Sequence, residues 1–467
     1  MSAAAPINSV SWRVLLLRKN PSEFLVFETA CGLCLPSVEI PPNSRTAEAL
    51  NAGVQARWGL NVYSLYAIEL DDPCPTVRYH AAEVLQQDAE VPRPAKWVSV
   101  SDARHLRFGD SSDSAAVQAW IERLGTKKTN TGDSPFDKPG WFPNVREFVQ
   151  GAIDNIPLLL AGPFLQCNAS PSFSLIRFET DGDAVWFKAV GEPNAREFPL
   201  SVFLSSKLPA FTPRVLATRP LWNAWVMPDI AGVPLAQTED PSAWCNAARN
   251  LARMQVASIE MTEDILRCEP RDVRAVALLE QIRPFFSLMQ EWMGRQTKTS
   301  PARLSRSEIE RLECETRNAL LASQLERIPD TLGHLDLNPE NVITTNGETV
   351  FLDWAEGCVG HPFLSFAHLL EYFLRTFGAN THQEPALIRA YLDVWEPLGL
   401  TDTPETTLST SAFLAIFAHA VSTDLWRDSR RMLEPATAGY FRSLARRMKR
   451  YRDRAQDGVS SVSELFA

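Results

Sequence analysis

The chain has 467 residues, of which 45% are hydrophobic and 22% are charged, and its formal net charge is −10. This length exceeds one ordinary hydrophobic core, so two or three domains are expected. The acidic balance excludes a dedicated nucleic-acid binder, since such proteins carry a basic domain or stripe. The densest basic run, Arg442 to Arg454, is interpreted as the solvated face of a terminal helix.

Neither a targeting signal nor a membrane partner is predicted. The apolar run Val14 to Leu17 precedes its charges, Arg18 and Lys19, whereas a signal peptide places its charges first. The apolar stretch Ile156 to Leu165 contains Pro163 and is about half as long as a membrane span. A cytoplasmic location is therefore the expectation.

The eight cysteines are scattered, and the close pair Cys31 and Cys34 has no second pair or nearby histidine to complete a zinc site. A redox motif would open a helix at this point, but Leu35-Pro36 follows. Ordinary buried and reduced thiols are therefore expected, which also fits a cytoplasmic protein.

The first 125 residues predict a small α/β domain. A helix is expected from Thr46 to Trp58, with Gly59 just past its end. A second amphipathic helix is expected from Asp113 to Leu124. Strands are expected at Val10–Leu17, Phe24–Phe27, Tyr63–Leu70 and Val77–Val84.

Residues 126–140 contain almost nothing apolar and are predicted to form a linker. A small sheet lobe is expected over 141–235 and a helical lobe over 236–467, which gives an α+β architecture with a cleft. The helical lobe has one β-like interruption, Asn341 to Asp353. In the sheet lobe the expected elements are helix Trp141–Ile153, a β-rich stretch Phe173–Val190, helix Asn194–Lys207, and strands Val215–Ala217 and Ala224–Met227.

The strongest chemical signal is the segment Gly333 to Trp354. It predicts a loop that presents Asp336 and then Asn341, followed by a hairpin whose end presents Asp353. Asp and Asn oxygens are hard ligands, so Asn341 and Asp353 are candidate Mg²⁺ ligands. Asp336 is left to accept a proton from an attacking hydroxyl or to orient it. A purely structural role would require several buried polar groups without a purpose, each of them costly.

The spacing H-x-D-x-x-x-x-N, followed by an apolar strand that ends in Asp, resembles the kinase catalytic loop. Leu335 stands where protein kinases have Arg, and Trp354 replaces Phe-Gly after the metal Asp. These features resemble the aminoglycoside phosphotransferase and choline kinase-like family, over roughly residues 140 to 455. The resemblance implies a two-lobed, protein-kinase-like fold that uses ATP and Mg²⁺ to phosphorylate a hydroxyl. Much of the family has an Asp where this chain has Ser365, so that support of the catalytic loop is unassigned.

The apolar strand Val185 to Val190 contains Lys188, and an unpaired lysine there would be costly. Glu197, near the start of the next helix, is the expected partner. The two residues resemble the kinase pair in which Lys holds the α/β-phosphates and Glu positions it. A surface lysine on an edge strand is the alternative.

The resemblance implies further nucleotide contacts. The loop Asn168 to Ser174 has no glycine and would cover the phosphates through Ser170 and Ser172. The hinge between the lobes would be Met227 to Gly232, where Met227 and Asp229 meet the adenine, although Pro228 removes one donor. The histidines at 361 and 368 are interpreted as structural.

The segment Leu35 to Glu39 and the following helix, which leads into Gly59-Leu60, resemble a Nudix domain. The metal-binding glutamates of such domains are missing, because their places hold Gly53, Ala56 and Arg57. The resemblance therefore implies a Nudix-like domain that is not hydrolytic, and an unrelated small α/β domain is the alternative.

The expected function is ATP-dependent phosphorylation of a hydroxyl-bearing metabolite or antibiotic. A catalytically inactive nucleotide-binding regulator is an alternative, against which the intact Asp336, Asn341 and Asp353 argue. A protein kinase is another alternative, against which the absence of D-F-G and A-P-E signatures argues. An acidic helical lobe would suit a cationic acceptor, but net charge does not locate a pocket. The acceptor and the oligomeric state stay open.

Overall fold

A computed structural model describes residues 10–456 apart from 20, 43, 71–76, 92, 126–134, 155–159, 325–327, 346, 379–381 and 400–403. Most of the predicted linker, 126–140, lies outside the described residues. Contacts divide the chain into two compact units, Met1–Phe198 with Val215–Asp229 and Pro199–Arg214 with Ile230–Ala467. The first unit is rich in sheet and the second is largely helical, so the chain is a mixed α+β protein.

The first sheet of the first unit has seven strands. They are β1 (Val10–Arg18), β2 (Glu23–Thr29), β3 (Gly32–Cys34), β4 (Ser37–Ile40), β5 (Val62–Ile68), β6 (Val77–Val84) and β7 (Ala95–Ser99). The order is β3-β2-β1-β6-β5, with β4 paired to β1 and β7 paired to β2. Strands β1 and β6 are parallel, with Ser11 opposite Val77. A parallel pair needs a crossover connection, and the chain between these strands includes a helix.

That helix is α1 (Thr46–Trp58), which has the predicted bounds. It buries Ala47, Leu50 and Val54 on one face, as the spacing of its apolar residues indicates. It ends at Gly59, whose left-handed backbone (φ 69°) lets its N–H close the last turn on Gln55 O. The second helix, α2 (Ser111–Gly125), contains the predicted helix and buries Val117 and Trp120.

The second sheet of the first unit follows helix α3 (Phe142–Ile153) and is antiparallel throughout. Its strands are β8 (Leu160–Ser170), β9 (Phe173–Thr180), β10 (Val185–Val190), β11 (Ala217–Arg219) and β12 (Ala224–Pro228), and helix α4 (Glu197–Lys207) follows β10. The order β11-β12-β10-β9-β8 places β10 in the middle of the sheet. Lys188 therefore stands on a central strand, and the alternative of an edge-strand lysine is wrong.

One hydrophobic core joins the two sheets of the first unit. It contains buried aromatic side chains from both sides of the linker, Phe24, Tyr63, Trp120, Trp141, Phe142, Phe178 and Phe187. A buried polar cluster crosses the same junction: Gln166 Oε1 accepts from the Ser64 N–H at 2.7 Å and from Asn51 Nδ2 at 3.1 Å. Gln166 Nε2 donates to Ser64 O at 2.8 Å. The N-terminal sheet thus packs directly on the second sheet through both apolar and polar contacts.

The second unit contains nine further α-helices within the described residues. They are α5 (Pro241–Ser258), α6 (Thr262–Leu266), α7 (Ala275–Gly294), α8 (Arg306–Ser323), α9 (Phe363–Phe377), α10 (Glu384–Trp395), α11 (Pro404–Ser422), α12 (Ser429–Met432) and α13 (Pro435–Gln456). Helix α8 begins with a capping box, in which Ser305 and Glu308 satisfy each other's backbone N–H groups. Helices α7, α8, α11 and α13 share one core, and α5, α9 and α10 share another.

Six short strands interrupt the helices, as β13 (Val233–Pro234), β14 (Arg271–Val273), β15 (Thr331–His334), β16 (Val342–Thr345), β17 (Glu348–Phe351) and β18 (Gly357–Gly360). They form two small sheets, ordered β13-β16-β17 and β14-β18-β15. The prediction of a single β-like interruption is therefore wrong. Strands of two to four residues leave too short a pattern in the sequence to be recognised.

Two further predictions need correction. Cys31 is exposed and Cys34 is half-buried, so the predicted burial of these thiols is wrong for Cys31. The basic run on α13 is not simply a solvated face, because Arg452 is only 8% exposed. Among the described residues, no helix combines the length and the apolar composition needed to cross a bilayer.

Candidate active site

The loop after β15 is held in place by His334, which is fully buried. Its Nε2 donates to Leu352 O at 3.0 Å, and its Nδ1 accepts from the Asp336 N–H at 3.2 Å. This pattern requires a neutral ring with its proton on Nε2. The ring also packs against Trp354, with centroids 5.1 Å apart. The backbone of Asp336 is therefore fixed by a side chain that is itself fixed by the hairpin.

Ser365 supplies a second support that sequence reasoning left unassigned. Ser365 is buried near the start of α9, and its Oγ accepts a hydrogen bond from the His334 N–H at 2.8 Å. A Cβ added to Gly333 would stand 2.7 Å from this oxygen and 2.8 Å from Cys358 Sγ, so only glycine fits there. The serine position could have been suspected from the sequence, because it is where an Asp is expected. Because Gly333 has no side chain, the Ser365 hydroxyl has room beside it.

Asn341 and Asp353 lie at the same end of the hairpin formed by β16 and β17. Val342 pairs with Phe351, and the next backbone bond runs from the Leu352 N–H to Asn341 O at 2.8 Å. Asn341 Nδ2 donates to Asp336 O at 3.4 Å, so the amide oxygen is the atom of this side chain that is suited to bind a metal. The structure thus brings Asp336, Asn341 and Asp353 together through one loop and one hairpin.

Asp353 is exposed and has a left-handed backbone, with φ 59° and ψ 62°. This conformation is uncommon outside glycine, although Asp and Asn adopt it more readily than other residues. Such strain is often retained where a side chain has to be presented in one direction. An amide oxygen and a carboxylate are suitable donors for Mg²⁺, which binds through one or two carboxylates and completes its shell with phosphate oxygens and water.

A cavity of about 330 Å³ opens beside Asp336 in the second unit. The Asp336 side chain is partly buried on its wall, and the carboxylate makes no hydrogen bond or ion pair with the described residues. Burial, and then the negative charge of Asp336, raise the pKa of the neighbouring Tyr372. The cavity can therefore hold a small molecule beside the Asp336 carboxylate, which no hydrogen bond or ion pair with the described residues occupies.

In the first unit, Lys188 and Glu197 are 5% and 2% exposed and form an ion pair. Lys188 lies opposite Leu175 on β9 and Trp225 on β12, and its Nζ is 5.3 Å from the Phe173 ring. Glu197 is the first residue of α4, where a carboxylate is also favoured by the helix dipole. The expected pairing is present, and the role of the pair toward phosphates stays a prediction.

The predicted loop over the phosphates is a tight connection between β8 and β9. The Ser172 N–H donates to Ser170 Oγ at 3.3 Å, and the Gly191 N–H donates to Ser172 O at 2.7 Å. Both serine side chains are half-buried. The loop is therefore anchored to the end of β10, the strand that carries Lys188.

Asp229 and Met227 lie at the end of the first unit. Asp229 accepts from Trp186 Nε1 at 2.8 Å and from Arg177 at 2.9 Å, and its N–H donates to Ala184 O. These contacts tie the end of β12 to its neighbours, and the adenine contact of Met227 and Asp229 stays a prediction. Met227 is half-buried, opposite Trp186 on β10.

Residues 192–400 match the sequence model of a family described as the phosphotransferase enzyme family. The matched segment is that of a phosphotransferase. It includes Glu197, Asp336, Asn341 and Asp353, and Lys188 lies just before it. No curated protein matches the chain.

The chain also has structural counterparts at low sequence identity. Macrolide 2'-phosphotransferase MphH from Brachybacterium faecium is 14% identical, with a TM-score of 0.44 over 65% of this chain and 98% of that chain. Plasmodium vivax ethanolamine kinase is 16% identical, with a TM-score of 0.44 over 75% and 96% of the two chains. A choline/ethanolamine kinase family protein from Mesorhizobium loti is 17% identical, with a TM-score of 0.41 over 69% and 97%.

Proposed function

We propose that this protein transfers the terminal phosphoryl group of ATP to a hydroxyl group of a small molecule, within a two-lobed, protein-kinase-like fold. The observation that carries this proposal is the position of Asp336. Its backbone is fixed by His334 and Asn341, while its carboxylate faces a cavity large enough for a small acceptor. The family match of the surrounding segment agrees with phosphoryl transfer.

Asp336 would accept a hydrogen bond from the acceptor hydroxyl and orient its oxygen for in-line attack. Asn341 and Asp353 would hold Mg²⁺, which neutralises charge on the transferring phosphoryl group when it is bound. The hairpin keeps these two side chains next to the Asp336 loop, so acceptor and phosphoryl group would be positioned by one rigid segment.

Lys188 would bind the phosphates of ATP, and Glu197 would hold the lysine extended. Their burial supports this assignment, because a buried ion pair contributes little net stability compared with apolar residues of similar size. A functional demand explains its presence in the centre of an apolar strand better than stability does.

For the N-terminal sheet we propose a Nudix-like domain without hydrolase activity. Helix α1 has Gly53, Ala56 and Arg57 where metal-binding glutamates are expected. Arg57 donates to Ser37 O at 2.7 Å, so its guanidinium is held against the start of β4, at the place where a metal would be bound. A cation in that position would repel Mg²⁺.

The decisive experiment is a turnover screen of the full chain with Mg-ATP and a panel of hydroxyl compounds, comparing the native protein with Asp336→Asn. The variant should reduce kcat with any accepted compound by about a thousandfold and leave ATP affinity within a few-fold. Glu340→Gln is the matched control, since Glu340 is an exposed carboxylate in the same loop. Retention of more than a few per cent of turnover in Asp336→Asn would contradict the proposal.

A further inference from the structure

The cavity beside Asp336 has a strongly basic wall. Four arginines line it, Arg375 from α9 and Arg446, Arg447 and Arg450 from α13. Two carboxylates also line it, Asp336 and Glu371. The balance is positive even though the chain as a whole carries a net charge of −10. The surroundings of Asp336 therefore differ in sign from the rest of the protein.

Glu371 cannot neutralise this wall by itself. It is 8% exposed and forms ion pairs with both Arg375 and Arg447, so one carboxylate is shared by two guanidinium groups. The Arg446 side chain is held by the backbone, because its Nε donates to Ala302 O at 2.8 Å. Burial, together with the like charges of Arg442 and Arg450, lowers the pKa of Arg446.

Arg450 is the arginine best placed to meet a ligand. It is exposed on the cavity wall and makes no hydrogen bond or ion pair with the residues that the structure describes. It stands one helical turn after Arg446 and three residues after Arg447, so all three side chains reach the same face of α13. A guanidinium fork in this position is suited to a carboxylate or a phosphate.

The positive charge of the cavity does not depend on protonation of His368. His368 lines the cavity, and burial followed by the charges of His419 and Arg447 lowers its pKa well below the ordinary value. It is neutral near pH 7 and adds nothing to the charge of the arginines. A cationic acceptor would meet repulsion here under ordinary conditions.

We propose that the acceptor is a hydroxyl compound that also carries an anionic group, a carboxylate or a phosphate, bound by Arg450 and its neighbours while the hydroxyl faces Asp336. This assignment rests on the proposed phosphotransferase function. The alternative ligand for the same guanidinium groups is the phosphates of the nucleotide. The acceptor is the better ligand because the arginines share one cavity with Asp336, the residue that would orient the attacking hydroxyl.

The test uses the full chain with saturating Mg-ATP and acceptors that differ in charge: glycerol, glycerate, glycerol 3-phosphate, gluconate, ethanolamine and choline. The kcat/KM should be highest for an anionic member. Arg450→Gln should raise the KM for that acceptor about tenfold, with kcat and the KM for ATP unchanged. Arg442→Gln is the matched control, since Arg442 is on the same helix and does not line the cavity.

Preference for a neutral or cationic member would overturn the inference and leave the phosphotransferase proposal standing. A rise in the KM for ATP instead of the acceptor would also overturn it, by assigning the arginines to the nucleotide. If no compound is phosphorylated, calorimetry without ATP separates the two ideas. Binding of glycerol 3-phosphate or inorganic phosphate that Arg450→Gln weakens supports the anion site without transfer, and no binding of either overturns it.

Discussion

Helix α1 and the loop after β15 are both places where sequence resemblance locates metal-binding or catalytic side chains. They differ in which side chains hold the local structure and which are left for a ligand. On α1, Arg57 donates to the backbone of β4 at Ser37, and Gly53 leaves room for Val38. In the loop, His334 and Ser365 make the bonds that hold the backbone. The Asp336 carboxylate is thus left for a ligand. In this loop, groups other than the Asp336 carboxylate therefore stabilise the backbone.

The first test of this contrast is at Asp353. Asp353→Asn should lower Mg²⁺-dependent ATP affinity about ten- to a hundredfold, because a charged ligand is replaced by a neutral one. Asparagine tolerates the left-handed backbone, so the melting temperature should be nearly unchanged. ATP titration with and without Mg²⁺, together with thermal unfolding, measures both quantities.

Asp353→Ala is the companion variant. It should lose the same affinity and about 1 kcal/mol of stability besides, since alanine adopts the left-handed conformation less readily. Equal Mg²⁺-dependent affinity in the native protein and in both variants would show that Asp353 is not a ligand.

The second test separates structure from function at Lys188. Lys188→Met should reduce kcat/KM for ATP on the order of a hundredfold and destabilise the protein, since the buried Glu197 loses its ion pair with Lys188. Glu197→Gln should give a milder kinetic defect through loss of positioning. The double variant should recover stability and remain as inactive as Lys188→Met. A double variant that is far less active than Lys188→Met would show that the two residues act independently.

The third test addresses the junction of the two sheets. Gln166→Ala should lower the free energy of unfolding by about 3 kcal/mol, because it leaves the Ser64 backbone groups and the Asn51 amide without their buried partner. Gln118→Ala, at a half-buried position of α2, is the control. Urea unfolding measures the difference. Equal losses in the two variants would mean that the polar cluster contributes nothing specific.

The last test, at Glu48, predicts no change in hydrolysis. Glu48 is the acidic residue in the first turn of α1, and Glu48→Gln should not change hydrolysis of nucleoside diphosphate compounds by the full chain with Mg²⁺ or Mn²⁺. Both proteins should release phosphate at the background rate. Hydrolysis that this substitution abolishes would show that α1 still supports metal chemistry, and the contrast with the catalytic loop would be lost.

The sequence was sufficient for features that are local. The bounds of α1, the strand that carries Lys188 and the hairpin leading to Asp353 all follow from apolar spacing, turn residues and helix ends. These signals need only a few consecutive residues. The pairing of Lys188 with Glu197 also spans nine positions only, so the cost of a buried charge was enough to suggest it.

Long-range contacts could not be predicted in the same way. Gln166 meets Ser64 across 102 positions, and Arg447 meets Glu371 across 76, and nothing in either local pattern indicates the partner. The basic cavity wall was missed for this reason. The arginines of α13 are indistinguishable from a solvated face until the fold brings that helix beside Asp336.

The contact between Gly53 and Val38 has a consequence for any metal site on α1. Any side chain at position 53 would overlap Val38 Cγ1, so a glutamate could be introduced there only together with a smaller residue at position 38. Arg57 would also have to be replaced, which would release the start of β4 at Ser37. Each of these substitutions is unfavourable without the others. A metal site on α1 therefore cannot be formed from the present sequence by single substitutions.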